Sequence, residues 1–129
     1  RALYIKEKRY GSEHVSVAIT LTSLANAHGA LGDPARMRDM LRRALMIQQR
    51  RYGPEHSNVA ITLTNLAIAH GELGDPTTKR DMLQRALKIQ EKHYGPDHYI
   101  VAIALVNLAN AHGDLGDPVT KLDMLQRAL

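Results

Sequence analysis

The sequence predicts an all-α solenoid built from three copies of one helical unit. The tripeptide Arg-Ala-Leu opens the chain and returns every 42 residues, at Arg43, Arg85 and Arg127. Residues 43–84 and 85–126 share 29 identities in 42 aligned positions. A fixed period of this length is typical of units that bury their apolar faces only by stacking on their neighbours.

The first half of each unit has the apolar spacing of an α-helix. In the middle unit, apolar residues stand at Val59, Leu63, Leu66 and Ala67, which places them on one face of a helix. The pattern stops at Gly74, and glycine is favoured just after a helix because it adopts positive φ without a steric cost.

A second helix begins directly after this glycine. Asp75 is a suitable N-cap and Pro76 a suitable first helical residue. The helix is expected to end at Tyr94-Gly95-Pro96, where glycine closes the last turn and proline prevents its continuation. The same punctuation recurs in every unit, which therefore consists of a first helix, A, and a second helix, B.

Applying this pattern along the chain gives the following map. The A helices are predicted at 14–31, 56–73 and 98–115, and the B helices at 34–52, 76–94 and 118–129, after a partial B helix at 1–10.

The domain organisation follows from the same period. We expect residues 1–129 to form a single repeat array with units 1–42, 43–84 and 85–126, and residues 127–129 to start a further unit. Because the chain starts and stops inside the repeated motif, we expect it to be a piece of a longer array.

Composition narrows the range of functions. The chain has five Tyr but no Phe, Trp or Cys, so the core is expected to be aliphatic, and disulfides and cysteine chemistry are excluded. There is no glycine-rich phosphate loop or other catalytic motif, which predicts a protein that is not an enzyme and has no cofactor. The chain contains no apolar run of membrane-spanning length and no signal-peptide pattern, so we expect a cytoplasmic location and no membrane partner.

Two segments of the middle and last units resemble the tetratricopeptide repeat. They are Asn65-Leu66-Ala67-X-Ala69-His70-Gly71-X-Leu73-Gly74-Asp75 and Leu83-X-Arg85-Ala86-Leu87. The period of 42, with Tyr-Gly-Pro before helix A, resembles the long variant found in kinesin light chains and in NTPase-type immune receptors.

The sequence departs from the family pattern at three positions of each unit. Histidine stands where the family usually has Tyr, proline begins helix B in place of an aromatic residue, and a long side chain replaces a small Ala. These residues are His28, His70 and His112; Pro34, Pro76 and Pro118; and Met37, Lys79 and Lys121.

The resemblance implies a right-handed superhelix whose A helices line a concave groove. All 17 Lys and Arg residues fall on predicted B helices or on the partial B helix, so we expect a neutral to mildly acidic groove with the basic charge outside it. A carboxylate clamp needs a cation on the A helices, which argues against a receptor for chaperone tails. The peptide-groove candidates are Ser23, Asn26, Thr64, Asn65, Ile68, Glu72, Asn107, Asn110 and Asp114.

Two features of the A helices admit more than one interpretation. An Asn side chain both donates and accepts, so it can bind an extended peptide backbone of any sequence; the alternatives are a solvated polar face or a ladder between repeats. The helical glycines Gly29, Gly71 and Gly113 indicate either close approach of two helices, which we favour, or room for the backbone of a ligand.

The histidines and the arginine pairs raise two further possibilities. Single histidines on successive helices lie too far apart to converge on one metal ion, so we expect capping and packing roles and no metal. The pairs Arg42-Arg43 and Arg50-Arg51 suggest a nucleic-acid surface, but acidic residues interleave with them and the net charge is only +4. We therefore rank nucleic-acid binding a distant third, behind a peptide-binding scaffold and a self-assembling structural array.

We expect a binding scaffold that holds a peptide or protein segment along the A-helix groove. The alternative is a structural array that propagates by self-association without a dedicated ligand. The high identity between units favours this alternative somewhat, because a specific groove usually diversifies its lining. In that case the last B helix of one molecule would stack head-to-tail on the N-terminal helix of the next, which carries Leu3, Tyr4 and Ile5.

Overall fold

The computed structural model describes residue 3 and residues 14–129, and it confirms an all-α repeat solenoid. Within residues 14–129 there are six helices. They are α1 (Val15–Ala30), α2 (Pro34–Tyr52), α3 (Ser57–Glu72), α4 (Pro76–Tyr94), α5 (Tyr99–Asp114) and α6 (Pro118–Ala128). Helices α1, α3 and α5 are the A helices, and α2, α4 and α6 are the B helices.

The predicted bounds are confirmed for the two full B helices and are slightly wrong elsewhere. Each A helix is one residue shorter at either end than predicted, because a histidine is its N-cap and a leucine its C-cap. The last B helix ends at Ala128, with Leu129 as its C-cap. The predicted partial helix at 1–10 lies outside the described residues except for Leu3. Leu3 packs against a core cluster that includes Val17, Leu21 and Ile47.

Each A helix passes directly into its B helix through a Schellman turn. In the middle unit, the Asp75 N–H donates to His70 O at 2.9 Å, and the Gly74 N–H donates to Gly71 O at 3.1 Å. Gly74 has a φ of +82°, which the turn requires. Asp75 Oδ1 then accepts from the Thr78 N–H at 3.1 Å, so one residue ends the first helix with its backbone and caps the second with its side chain.

The core runs along the array as a series of aliphatic clusters, each shared by consecutive helices. Leu41 packs with Leu66 and Ala69 of the next unit. Its equivalent Leu83 packs with residues of α5 in the same way. These contacts confirm that each unit buries its apolar face against its neighbour and not within itself alone.

Candidate functional site

The exposed faces of the three A helices present the same positions in register. Ile19, Ile61 and Ile103 stand 42 residues apart and are 58%, 52% and 56% exposed. We call these three residues the isoleucine lane. They were not among the groove candidates predicted from the sequence, although they are the most regular exposed apolar feature of the described chain.

One helical turn further along each A helix is a polar row. It consists of Ser23, Asn65 and Asn107, which we call the amide lane; Ser23 is exposed and the two asparagines are half-buried. Residues four apart on a helix are neighbours on one face, so the two lanes run side by side. We call the surface that includes both the groove face.

The groove face is indented where two units meet. Side chains from α1 and α3 form the walls of a depression of about 370 Å³, and Gln48 of α2 lies at its floor. The other lining residues are Ile19, Thr22, Ser23, Asn58, Ile61 and Thr62. The depression therefore joins the isoleucine lane and the amide lane of neighbouring units.

The nine groove candidates all lie on the A helices, but they differ in exposure. Thr64, Asn65 and Asn107 are half-buried and the other six are exposed. Thr64 Oγ1 donates to Ala60 O at 3.0 Å, so its hydroxyl proton is already used within its own helix. Asn26, Ile68 and Asn110 occupy equivalent positions, one turn beyond the amide lane.

The prediction that all basic side chains lie away from the groove is wrong at one position. Lys79 Nζ of α4 lies 3.3 Å from Asp114 Oδ2 at the end of α5. This B-helix cation therefore reaches the A-helix surface and pairs with one of the candidate acids. Sequence position alone missed the contact because a long Lys side chain spans the gap between units.

The helical glycines provide the space for this reach. A Cβ built on Gly71 would lie 2.7 Å from Lys79 Cδ, and one on Gly113 would lie 2.9 Å from Lys121 Cδ. In the first unit, a Cβ on Gly29 would lie 2.6 Å from Met37 Sδ. Each glycine thus faces the B helix of its own unit, as expected for close helix approach.

A buried polar contact at the floor of the groove differs between units. Thr62 Oγ1 donates to Gln48 Oε1 at 2.5 Å, and both side chains are buried. The equivalent pair in the next unit is Ala104 and Gln90. Because alanine has no hydroxyl, Gln90 Oε1 has no hydrogen-bond partner among the described residues.

The histidines that precede the A helices act as caps, as predicted. Nδ1 of His14, His56 and His98 accepts from the backbone N–H two residues on, at 3.0, 3.1 and 3.2 Å. The tyrosine that ends the preceding B helix stacks on the cap, with centroids 4.4 Å apart for Tyr52 and His56 and 4.6 Å for Tyr94 and His98.

Gly53 lies in the loop between Tyr52 and His56, and its backbone conformation explains why a glycine stands there. Gly53 has a φ of +90° and a ψ of 160°, a region that only glycine adopts readily. Its ψ places the residue outside the left-handed helical region that commonly closes a helix. The Tyr-Gly-Pro-acid-His segment is therefore a structural corner.

A second histidine in each unit lies inside its A helix. His70 and His112 are buried, and their Nε2 atoms have no hydrogen-bond partner among the described residues. Burial lowers the pKa of His70; nearby Arg42 and Arg38 lower it further, while Asp75 opposes the shift.

A larger depression, of about 500 Å³, lies beside the Tyr52–His56 corner. Its charged groups already satisfy one another, since Lys92 Nζ is 2.8 Å from Glu55 Oε2. This hydrogen bond lowers the pKa of Glu55 and raises that of Lys92. We therefore favour the groove face as the candidate site, because its asparagine side chains make no hydrogen bond to other residues within 14–129.

The described part of the chain offers neither a metal site nor a membrane-spanning helix. Residue 3 and residues 14–129 contain no group of three or more His, Asp or Glu placed to hold a metal ion. In the same residues no helix is both long enough and apolar enough to span a membrane.

Comparison with protein families identifies the repeat. A family model described as tetratricopeptide repeat matches residues 18–78, and a second model with the same description matches residues 59–99. Together the two matches cover more than half of the chain. The comparison with curated proteins gives no significant match.

Solved structures share the whole architecture at low sequence identity. BtubC (BKLC) from P. vanneervenii matches with a TM-score of 0.90 and 25% identity, over 98% of this chain and 50% of that one. A Podosopora anserina putative kinesin light chain with nearly identical TPR-like repeats matches with a TM-score of 0.89 and 24% identity, over 98% and 60%. The chain thus spans between half and three fifths of the length of these two chains.

Proposed function

Because the chain belongs to the tetratricopeptide repeat family, whose members generally mediate protein–protein interaction, we propose that it is a non-enzymatic scaffold that binds a peptide or protein segment. We place the binding site on the groove face. A cytoplasmic location and a position within a longer array remain proposals from the sequence.

The observation that carries this proposal is the register of asparagine side chains on the groove face. The two half-buried asparagines, Asn65 and Asn107, occupy the same position of successive A helices. These two amides give a peptide backbone a donor and an acceptor in each of the last two units. The depression between α1 and α3 provides the concave surface that peptide sites require.

The test is a binding experiment with a double substitution. Peptides selected from a random display library against the chain are measured by fluorescence anisotropy against the wild type and against Asn65→Ala with Asn107→Ala. We expect a loss of about tenfold or more in affinity with an almost unchanged melting temperature, since each buried amide hydrogen bond contributes about 0.5–1.5 kcal/mol.

The matched control is Lys88→Ala, an exposed position of α4. It should leave the affinity within experimental error. An affinity that ignores the two asparagine substitutions but falls with Lys88→Ala would place the site on the B helices and refute the proposal.

One observation favours self-association as a second function. Val119 and Leu122 of α6 are 78% and 59% exposed, and Leu122 stands where the other units have Arg38 and Arg80. The occupant we propose is a second copy, because Leu125 of α6 is only half-buried, whereas the equivalent Leu41 and Leu83 are buried beneath a further unit of the same kind. Sedimentation velocity should show a concentration-dependent oligomer that Leu122→Arg abolishes; a monomer at all concentrations would refute it.

A further inference from the structure

The isoleucine lane determines which kind of segment the groove face can accept. Its three side chains have the same residue type, the same position and nearly the same exposure in all three units. A row of exposed aliphatic side chains beside polar ones is typical of an interaction site. The amide lane alone would accept any backbone, so the isoleucine lane adds the selectivity.

Charge on the groove face lies at the opposite end of the helices. The A helices 15–30, 57–72 and 99–114 contain no Lys or Arg, and their acidic residues are Glu72 and Asp114 at the C-terminal ends. Eleven residues separate Ile61 from Glu72, which is about 16 Å along a helix. Asp114 is also neutralised by Lys79 at 3.3 Å. A charged ligand side chain beside the isoleucine lane therefore finds no counter-ion near it on the described A helices.

The geometry of an extended chain fits the two lanes together. Side chains of an extended segment point alternately to its two faces, while its backbone N–H and C=O groups point sideways along its edges. If Asn65 and Asn107 hydrogen-bond one backbone edge, one face of the segment is turned towards Ile61 and Ile103. The side chains on that face lose contact with water against an aliphatic surface, which favours apolar residues and disfavours charged ones.

We propose that the partner of the groove face is an extended protein segment with aliphatic, uncharged side chains on the face that contacts Ile19, Ile61 and Ile103. This inference rests on the proposed function and adds the chemical class of the partner to it. It excludes acidic and basic segments as preferred ligands of this part of the groove.

The test uses a defined peptide array. The probes are twelve-residue peptides with Thr at every second position and, at the alternate positions, Val, Ser, Asp or Lys. We expect the Val series to bind best, and Ile61→Ser with Ile103→Ser to weaken it about tenfold, because burial of half an isoleucine side chain is equivalent to about one decade of affinity. Met46→Ser is the matched control, since Met46 is equally exposed, at 54%, but lies on a B helix.

The outcomes separate this inference from the proposed function. Preference for the Asp or Lys series, weakened by the Asn65 and Asn107 substitutions but not by the isoleucine substitutions, would overturn the inference and leave the groove site in place. If neither the asparagine nor the isoleucine substitutions change the affinity of any peptide series, the groove site is refuted as well. Conversion of an oligomer to a monomer by the isoleucine substitutions, with no peptide bound, would assign the lane to a second copy and also overturn the inference.

Discussion

The contact of α2 with α3, which we call the first junction, and that of α4 with α5, the second junction, bury equivalent aliphatic residues but differ in their polar contacts. At the first junction, Thr62 donates a hydrogen bond to buried Gln48 at 2.5 Å, while Met37 occupies the position equivalent to Lys79. At the second junction, Gln90 Oε1 lacks a partner among the described residues, but the ion pair of Lys79 with Asp114 is present.

The difference shows that the repeat tolerates exchange of its polar contacts while its aliphatic positions stay fixed. A buried unpaired acceptor costs about 1–3 kcal/mol, and an exposed ion pair returns at most about 1 kcal/mol. We therefore expect the second junction to be the weaker one, with a smaller free energy of separation than the first.

The largest effect should come from the shared core and should be equal at both junctions. Leu41→Ala and Leu83→Ala remove equivalent buried side chains, and each is expected to reduce the free energy of unfolding by about 2–5 kcal/mol. Chemical denaturation measures both. A loss below about 0.5 kcal/mol at Leu83, as at a surface site, would remove it from the core.

The next effect tests the hydrogen bond that distinguishes the two junctions. Thr62→Ala should cost about 1–3 kcal/mol because it leaves Gln48 Oε1 unpaired. Ala104→Thr should stabilise the chain by about 0.5–1.5 kcal/mol by giving Gln90 a donor. The hydroxyl can be tested separately with Ala104→Val, because valine has nearly the same shape as threonine. Equal stability of the Ala104→Thr and Ala104→Val variants would show that Gln90 gains nothing from the hydroxyl.

The pH dependence tests the buried histidine at the first junction. Burial places the pKa of His70 below its ordinary value, so below a pH of about 6.5 the unfolded chain binds more protons than the folded one. The free energy of unfolding should therefore fall on acidification from that pH down towards the lowered pKa. His70→Leu should flatten this slope between about pH 7.5 and 5. The same slope in His70→Leu and in wild type would contradict the assignment.

The smallest effect concerns the ion pair of the second junction. Lys79→Met copies the first unit at this position and should cost at most about 1 kcal/mol, since both side chains are partly exposed. A double-mutant cycle with Asp114→Asn isolates the pair. A coupling energy that vanishes at high salt supports it, and one that is unchanged by salt would exclude an ionic contact.

The helices were predicted well from the sequence because residues next to each helix end determine where the helix starts and stops. Asp and Pro fix the start of each B helix through a cap and a preset φ, and glycine fixes the end of each A helix. The A-helix bounds were wrong by one residue because His14, His56 and His98 lie outside the helix that they cap. Histidine is not among the residues usually favoured as N-caps.

The candidate site was predicted only in part because its features depend on neighbouring units. Ile61 belongs to the same apolar run as buried Val59 and Leu63, so periodicity alone did not distinguish it from the core. The reach of Lys79 and the unpaired oxygen of Gln90 depend on distances between helices that the sequence does not contain. The amide lane, by contrast, follows directly from the helical register.

The most direct test of the groove site is a methyl and side-chain amide NMR titration with a Val-series peptide. We predict saturable shifts of the Ile61 and Ile103 methyl groups and of the Asn65 and Asn107 side-chain amides, with the Met46 methyl unchanged. Shifts confined to Met46 and other B-helix positions, with the isoleucine and asparagine signals unmoved, would contradict the account.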